Sequence, residues 1–172
     1  MAIKSHNGRL GKFEYDDTQF SIADEERSSL IYIGEETDGS KIEIPRGVVD
    51  LTNTFASSNI TSPPRIPYGV KVMKSTFVNT EITEMPDIPD TVKILDGAFA
   101  MTKVHRIKPL PKGVESMEDI FLDCEAVQEM MIQSKKEPET AVLKVRPKHK
   151  LLCPKHRIGS YILPQVKVVA KA

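Results

Sequence analysis

Tryptophan is missing from this 172-residue chain, and aromatic residues make up only 6% of it against 40% hydrophobic residues in all. Few rings and many aliphatic side chains suit a thin, elongated core better than a compact sphere. Cysteine occurs only as Cys124 and Cys153, too few for a disulfide framework. Both are read as reduced thiols, with Cys124 in a core position of the kind free cysteine favours. No stretch approaches the roughly 18 apolar residues of a membrane span. The opening MAIKSHNGRLGKFEY holds no apolar run of signal-peptide length. A cytoplasmic protein without a membrane partner is the expectation.

Motifs that carry chemistry are also scarce. There is no G-x-S-x-G elbow, no phosphate-binding glycine loop and no linked nucleophile and base. Ser5-His6 reads as a loose terminus, and the acid pairs Asp16-Asp17 and Glu35-Glu36 read as exposed turn residues. Cys153-Pro154-Lys155-His156 has the spacing of half a zinc site, with His149 nearby, but a structural site needs four ligands. No enzyme activity, metal or cofactor is expected.

What the chain does have is a period. Three lines of 22 residues and a fourth of 21 stack in register from Ile44 to Met130: IPRGVVDLTNTFASSNITSPPR, IPYGVKVMKSTFVNTEITEMPD, IPDTVKILDGAFAMTKVHRIKP and LPKGVESMEDIFLDCEAVQEM. Their columns are Ile44/Ile66/Ile88/Leu110, Pro45/Pro67/Pro89/Pro111, Val48/Val70/Val92/Val114, Leu51/Met73/Leu95/Met117, Phe55/Phe77/Phe99/Phe121 and Ile60/Ile82/Val104/Ala126. A fixed step of this kind marks units that become stable by covering one another. Val48, Leu51 and Phe55 stand three and four apart, which predicts a turn or two of helix opened by Pro45. The Thr- and Ile-rich segment from Thr80 to Met85 predicts a short strand, and stacked strands would form a parallel ladder.

The pattern Ile-Pro-x-x-Val-x-x-Leu-x-x-Ala-Phe-x-x-Thr-x-Val, as in Ile88 to Val104, resembles the BspA-like leucine-rich repeat. Ser58, Thr80, Thr102 and Cys124 fill that family's small or Cys position, and Ala98-Phe99 matches its Ala-Phe pair. The resemblance covers 87 of the 172 residues. It implies an α/β repeat solenoid that binds protein through an exposed strand face, with no chemistry of its own. Many members of that family are bacterial or parasite surface proteins carrying a secretion signal, from which this opening departs.

Three regions follow. Residues 1–43 predict a β-hairpin cap, with one hairpin in Gly11 to Ala23 around Asp16-Asp17-Thr18. A second would pair Leu30 to Ile33 with Lys41 to Ile44. Residues 44–132 hold the repeats, and residues 133–172 form an irregular or β cap, or a basic appendage. Ser134 to Thr140 reads as a loop, and Ala141 to Val145, Lys150 to Cys153 and Tyr161 to Val169 as extended segments. The neutral total hides a polarity: net −5 over 1–43, −3 over 44–130 and +8 over 131–172.

Two binding surfaces are therefore candidates. In each strand the core takes Ile60, Ile82 and Val104 while neighbours alternate outward. That exposes the rows Asn59/Glu81/Lys103/Glu125 and Thr61/Thr83/His105/Val127, with Ser62, Glu84, Arg106 and Gln128 at the strand ends. Glu81, Thr83, Glu84, Lys103, His105 and Arg106 are the expected partner contacts, the last three as a basic cluster in an acidic region. The tail offers Lys144, Arg146, Lys148, Lys150, Lys155 and Arg157, which could contact phosphates or an acidic partner, or simply be solvated. Only Tyr161 could stack on a base there, so direct nucleic-acid readout is not expected. The reading is a protein-interaction module, in a sharper form a stoichiometric inhibitor of a host defence protein of the phage or mobile-element type. The alternative is a nucleic-acid-associated protein acting through its tail, and opposite-charged ends could also drive self-association.

Overall fold

The computed structural model describes residues 2–108, 110–125 and 127, together with the backbone of 157–158 and 161–162. At the N-terminus β1 (Ile3–Asn7) pairs antiparallel with β2 (Lys12–Asp16), and β3 (Phe20–Asp24) with β4 (Ser29–Tyr32). Near the other end β5 (Arg157–Ile158) pairs with β6 (Tyr161–Ile162). The C-terminal extended segments expected from sequence otherwise lie outside the described residues.

The N-terminal region forms two hairpins, but not the two expected. The Asp16 turn joins one hairpin to the next instead of closing its own. Its carboxylate accepts from the Thr18 amide and hydroxyl at 3.0 and 2.7 Å, which holds its pKa below the usual range. β2 pairs backward with β1 because Gly8 and Gly11 close a tight connection, the Gly8 amide donating to the Gly11 carbonyl at 2.9 Å. Lys41 joins no strand. It ends a 3₁₀ turn, Gly39–Lys41, that Asp38 caps through the Ser40 amide.

The α/β leucine-rich-repeat solenoid with a parallel strand ladder does not form. Among the described residues the sheets are separate two-stranded antiparallel pairs, and none closes. Parallel pairing among them is confined to isolated bridges: Asp50↔Val72, Val72↔Ile94, Ile94↔Ser116, Glu84↔Arg106 and Asp38↔Ser62. Helical backbone among the described residues is limited to the 3₁₀ turn and to Glu125 and Val127.

The reason lies in two columns of left-handed backbone. Asn53, Ser75 and Asp119 have φ between 50 and 58°, Gly97 has φ 59°, and Ser57, Asn79, Met101 and Asp123 repeat this four residues on. A left-handed residue every fourth position interrupts any right-handed helix, and Gly, Asn and Asp tolerate it best. The amides so turned leave their own unit. Phe55 donates to the Thr76 carbonyl at 2.9 Å, Phe77 to Ala98 at 3.0 Å and Phe99 to Ile120 at 2.9 Å. At the bridges bonds run both ways: Leu51 donates forward to the Val72 carbonyl at 2.8 Å, while Lys71 donates back to Val49 and Lys93 to Lys71, each at 2.8 Å.

The 22-residue units thus lie layer on layer through backbone bonds, with their apolar columns turned inward. Val48, Val70, Val92, Leu51, Met73, Leu95, Ile60, Ile82 and Val104 are buried. Phe55, Phe77, Phe99 and Phe121 stack near-parallel at 5.5 to 5.8 Å between ring centroids. Tyr32 and Phe20 extend this column into the N-terminal hairpins. The small column has a defined role: the hydroxyls of Ser58, Thr80 and Thr102 donate to the carbonyl of the Phe three residues earlier, at 2.7 to 2.8 Å. In the fourth layer the Cys124 thiol donates instead to the Val104 carbonyl at 3.4 Å, and burial pushes its pKa up. A buried thiol costs less to leave weakly bonded than a hydroxyl.

Candidate partner-binding site

The second and third layers bring all six expected contacts together. Ile82 and Val104 point inward, which turns Glu81, Thr83, Lys103 and His105 outward. The His105 amide donates to the Thr83 carbonyl at 2.9 Å, fixing the register, and Glu84 bridges Arg106. This register sets each cation over an acid of the layer below. Lys103 Nζ pairs with Glu81 Oε2, and Arg106 Nη1 lies 3.8 Å from Glu84 Oε2. Lys108 and Asp87 continue the series at 3.1 Å.

The basic cluster of the sequence is therefore an ion-pair row, with His105 between its two cations. Exposed pairs of this kind contribute little stability, about 0–1 kcal/mol. Their effect is to fix a pattern of charge on a backbone-bonded surface. Val127, placed by period in the exposed row, is fully buried instead. Lys144, Arg146, Lys148, Lys150 and Lys155 lie outside the described residues, as do Gln128, His149, Cys153 and His156, and of Arg157 only the backbone is described. Among the described residues no cluster of His, Cys, Asp and Glu could hold a metal ion.

One constellation has no sequence motif. His6 is not in a loose terminus but in β1, buried, with Nε2 2.9 Å from Ser28 Oγ and Nδ1 3.4 Å from Glu25 Oε2. Ser28 sits at φ 54°, and Gly8 passes so close that a Cβ there would fall 2.2 Å from Ser28 Oγ. The order Ser-His-Glu resembles an acyl-transfer triad. Yet Ser28 is 0% exposed, so its oxygen cannot meet a substrate carbonyl in this arrangement. The set acts as a clasp joining β1 to the turn before β4.

No helix among the described residues is long and apolar enough to cross a membrane. The chain matches no protein-family model, and neither curated proteins nor solved structures show significant similarity to it. The likeness to BspA-like repeats rests on the aligned units alone.

Proposed function

We propose that this chain is a non-enzymatic protein-interaction module whose contact face is formed by Glu81, Thr83, Glu84, Lys103, His105 and Arg106. The observation that carries this reading is the cross-layer pairing of Lys103 with Glu81 and Arg106 with Glu84 on an exposed, backbone-bonded surface. A rigid pattern of alternating charge costs little ordering entropy on binding, and it selects partners by electrostatic complementarity more than by raw affinity. The partner would present the inverse pattern, with acids against Lys103 and Arg106 and bases against Glu81 and Glu84. A stoichiometric inhibitor of a host defence protein is the narrower form of this reading, and the cytoplasm is its compartment.

Affinity purification followed by mass spectrometry tests it. The wild-type chain should recover a protein that the K103E/R106E double variant, folded to the same extent, does not. Retention by the variant would move the contact elsewhere.

The second reading rests on the net charge of +8 over residues 131–172. A phosphate-binding tail would give a gel shift that weakens steeply between two salt concentrations and is lost on removing residues 141–172.

A further inference from the structure

Proline sets up a second surface, between the end of the N-terminal cap and the first two layers. Ile44 precedes Pro45 and Ile66 precedes Pro67, so both are driven toward extended backbone. The prolines bring no amide of their own to bond the next layer. The amides and carbonyls of Glu43, Ile44, Arg65 and Ile66 beside them also make no hydrogen bond among the described residues, whereas the bridge and turn columns are bonded from layer to layer. Ile42 and Ile44 are buried and Glu43 is exposed between them, the alternation of a strand.

A trough of about 590 Å³ opens over this unbonded backbone. Its walls include Lys41, Arg46, Arg65 and Tyr68. Tyr68 is 81% exposed, the largest exposure among the large hydrophobic side chains of the described residues. Lys41 is tied to Glu36 and Asp38, at 3.8 and 3.6 Å. Arg46 and Arg65 have no ion pair among the described residues, in contrast to Lys103 and Arg106. The volume is that of a ligand site. Free guanidinium groups favour carboxylates and phosphates through paired hydrogen bonds.

The neighbouring hollow decides between these anions. It shares Glu43, Ile44 and Arg46 with the trough and is lined further on by Glu14 and Asp16. A nucleic-acid strand carries a charge at every step and would be repelled along this half. A peptide carries its charges singly, and its backbone can bond an open strand edge.

We propose that the trough is a docking site for an extended acidic segment of a partner protein. The segment lies along Glu43 and Ile44 as an added strand, presents carboxylates to Arg46 and Arg65, and covers the Tyr68 ring. None of the six residues of the face above takes part, so either surface can fail alone.

The test is selection of a random heptapeptide phage library on the immobilised full chain, followed by affinity measurement with the enriched peptides. Sequences carrying Asp or Glu should emerge. Their affinity should fall by about tenfold or more with R46E/R65E, the scale of losing charged hydrogen bonds. N-methylation of alternate peptide amides should weaken binding similarly, while K103E/R106E should leave it unchanged. Because Arg46 and Arg65 are exposed, the variant should keep the wild-type unfolding midpoint. Failure to enrich any peptide, or enriched peptides indifferent to R46E/R65E, would overturn the proposal. A twelve-residue oligothymidylate that binds more tightly than the peptides and loses affinity with R46E/R65E would assign the trough to nucleic acid instead.

Discussion

The rings of Phe77 and Phe99 lie 5.6 Å apart at 12° to each other, and Phe77 makes an equivalent contact with Phe55 on its other side. Phe77 therefore joins three layers at one point in the core. Phe77→Ala should cost about 3–5 kcal/mol through lost burial and a residual cavity. Phe77→Leu keeps much of the apolar volume but loses both ring pairs, and should cost about 1–3 kcal/mol. Urea unfolding of the two variants measures both, and a Phe77→Leu loss close to zero would show that ring stacking contributes nothing beyond volume.

Met101 holds a left-handed backbone, φ 56°, with its side chain 51% exposed. Its equivalents in neighbouring layers are Asn79 and Asp123, which adopt that region more readily. Met101→Asn should raise stability by about 1 kcal/mol, since strain is relieved and little burial is lost. A fall in the unfolding midpoint would mean that the methionine makes a contact worth more than its strain.

Thr54 Oγ1 is buried with no hydrogen-bond partner, while the hydroxyl of Thr76 one layer on donates to the Leu51 carbonyl at 2.9 Å. The third and fourth layers place Ala98 and Ile120 at this position. Thr54→Val keeps the shape and removes the unpaired oxygen, so it should stabilise by about 1–2 kcal/mol. Thr76→Val should instead destabilise, and chemical denaturation of the pair separates the two cases.

Acid should loosen the junction between the cap and the first layer. Asp38 accepts from the Ser40 amide and hydroxyl and from the Ser62 hydroxyl, which lowers its pKa to about 2. A folded pKa below the unfolded one means the contribution is complete above the unfolded value, about 3.9. It fades as pH falls from there through about 2. Thermal midpoints should thus drop more steeply between pH 4 and 2 for the wild type than for Asp38→Asn, and parallel curves would remove Asp38 from the account.

Ser28 should resist a fluorophosphonate probe in the folded chain, because its hydroxyl is covered by Gly8 and bonded to His6. Labelling at Ser28 detected by mass spectrometry would show that the glycine cover lifts, and the clasp would then have to be read as a nucleophile.

The apolar columns are legible from the 22-residue period alone, because each layer must bury the same face against the next. The helix expected over Val48, Leu51 and Phe55 fails on a signal present in the sequence: Asn53, Ser75, Gly97 and Asp119 share one column of residues tolerant of left-handed backbone. Three-and-four spacing cannot distinguish a helix from a turn that places the same side chains inward. The strand expected from Thr80 to Met85 shrinks to one bridge, with Thr80 spending its hydroxyl on the Phe77 carbonyl and Pro86 following. The outward placement of Glu81, Thr83, Lys103 and His105 is legible from the alternation around Ile82 and Val104. Their mutual neutralisation needs the register, which sets Glu81 under Lys103. Arg46, Arg65 and Tyr68 escape a reading focused on strand faces, although Pro45 and Pro67 beside them mark where backbone bonding must lapse. His6 and Ser28 meet only because two hairpins fold onto each other, and no spacing announces that.

The bonds between layers also bear on mechanics. The amides of Phe55, Phe77 and Phe99 each reach across to the following layer, so a pull along the stack loads one layer boundary after another. Under tension between residues 2 and 127 the layers should part singly, each releasing 22 residues, or roughly 75 Å of extended chain. The same repetition that builds the core would make the protein a spring with counted steps.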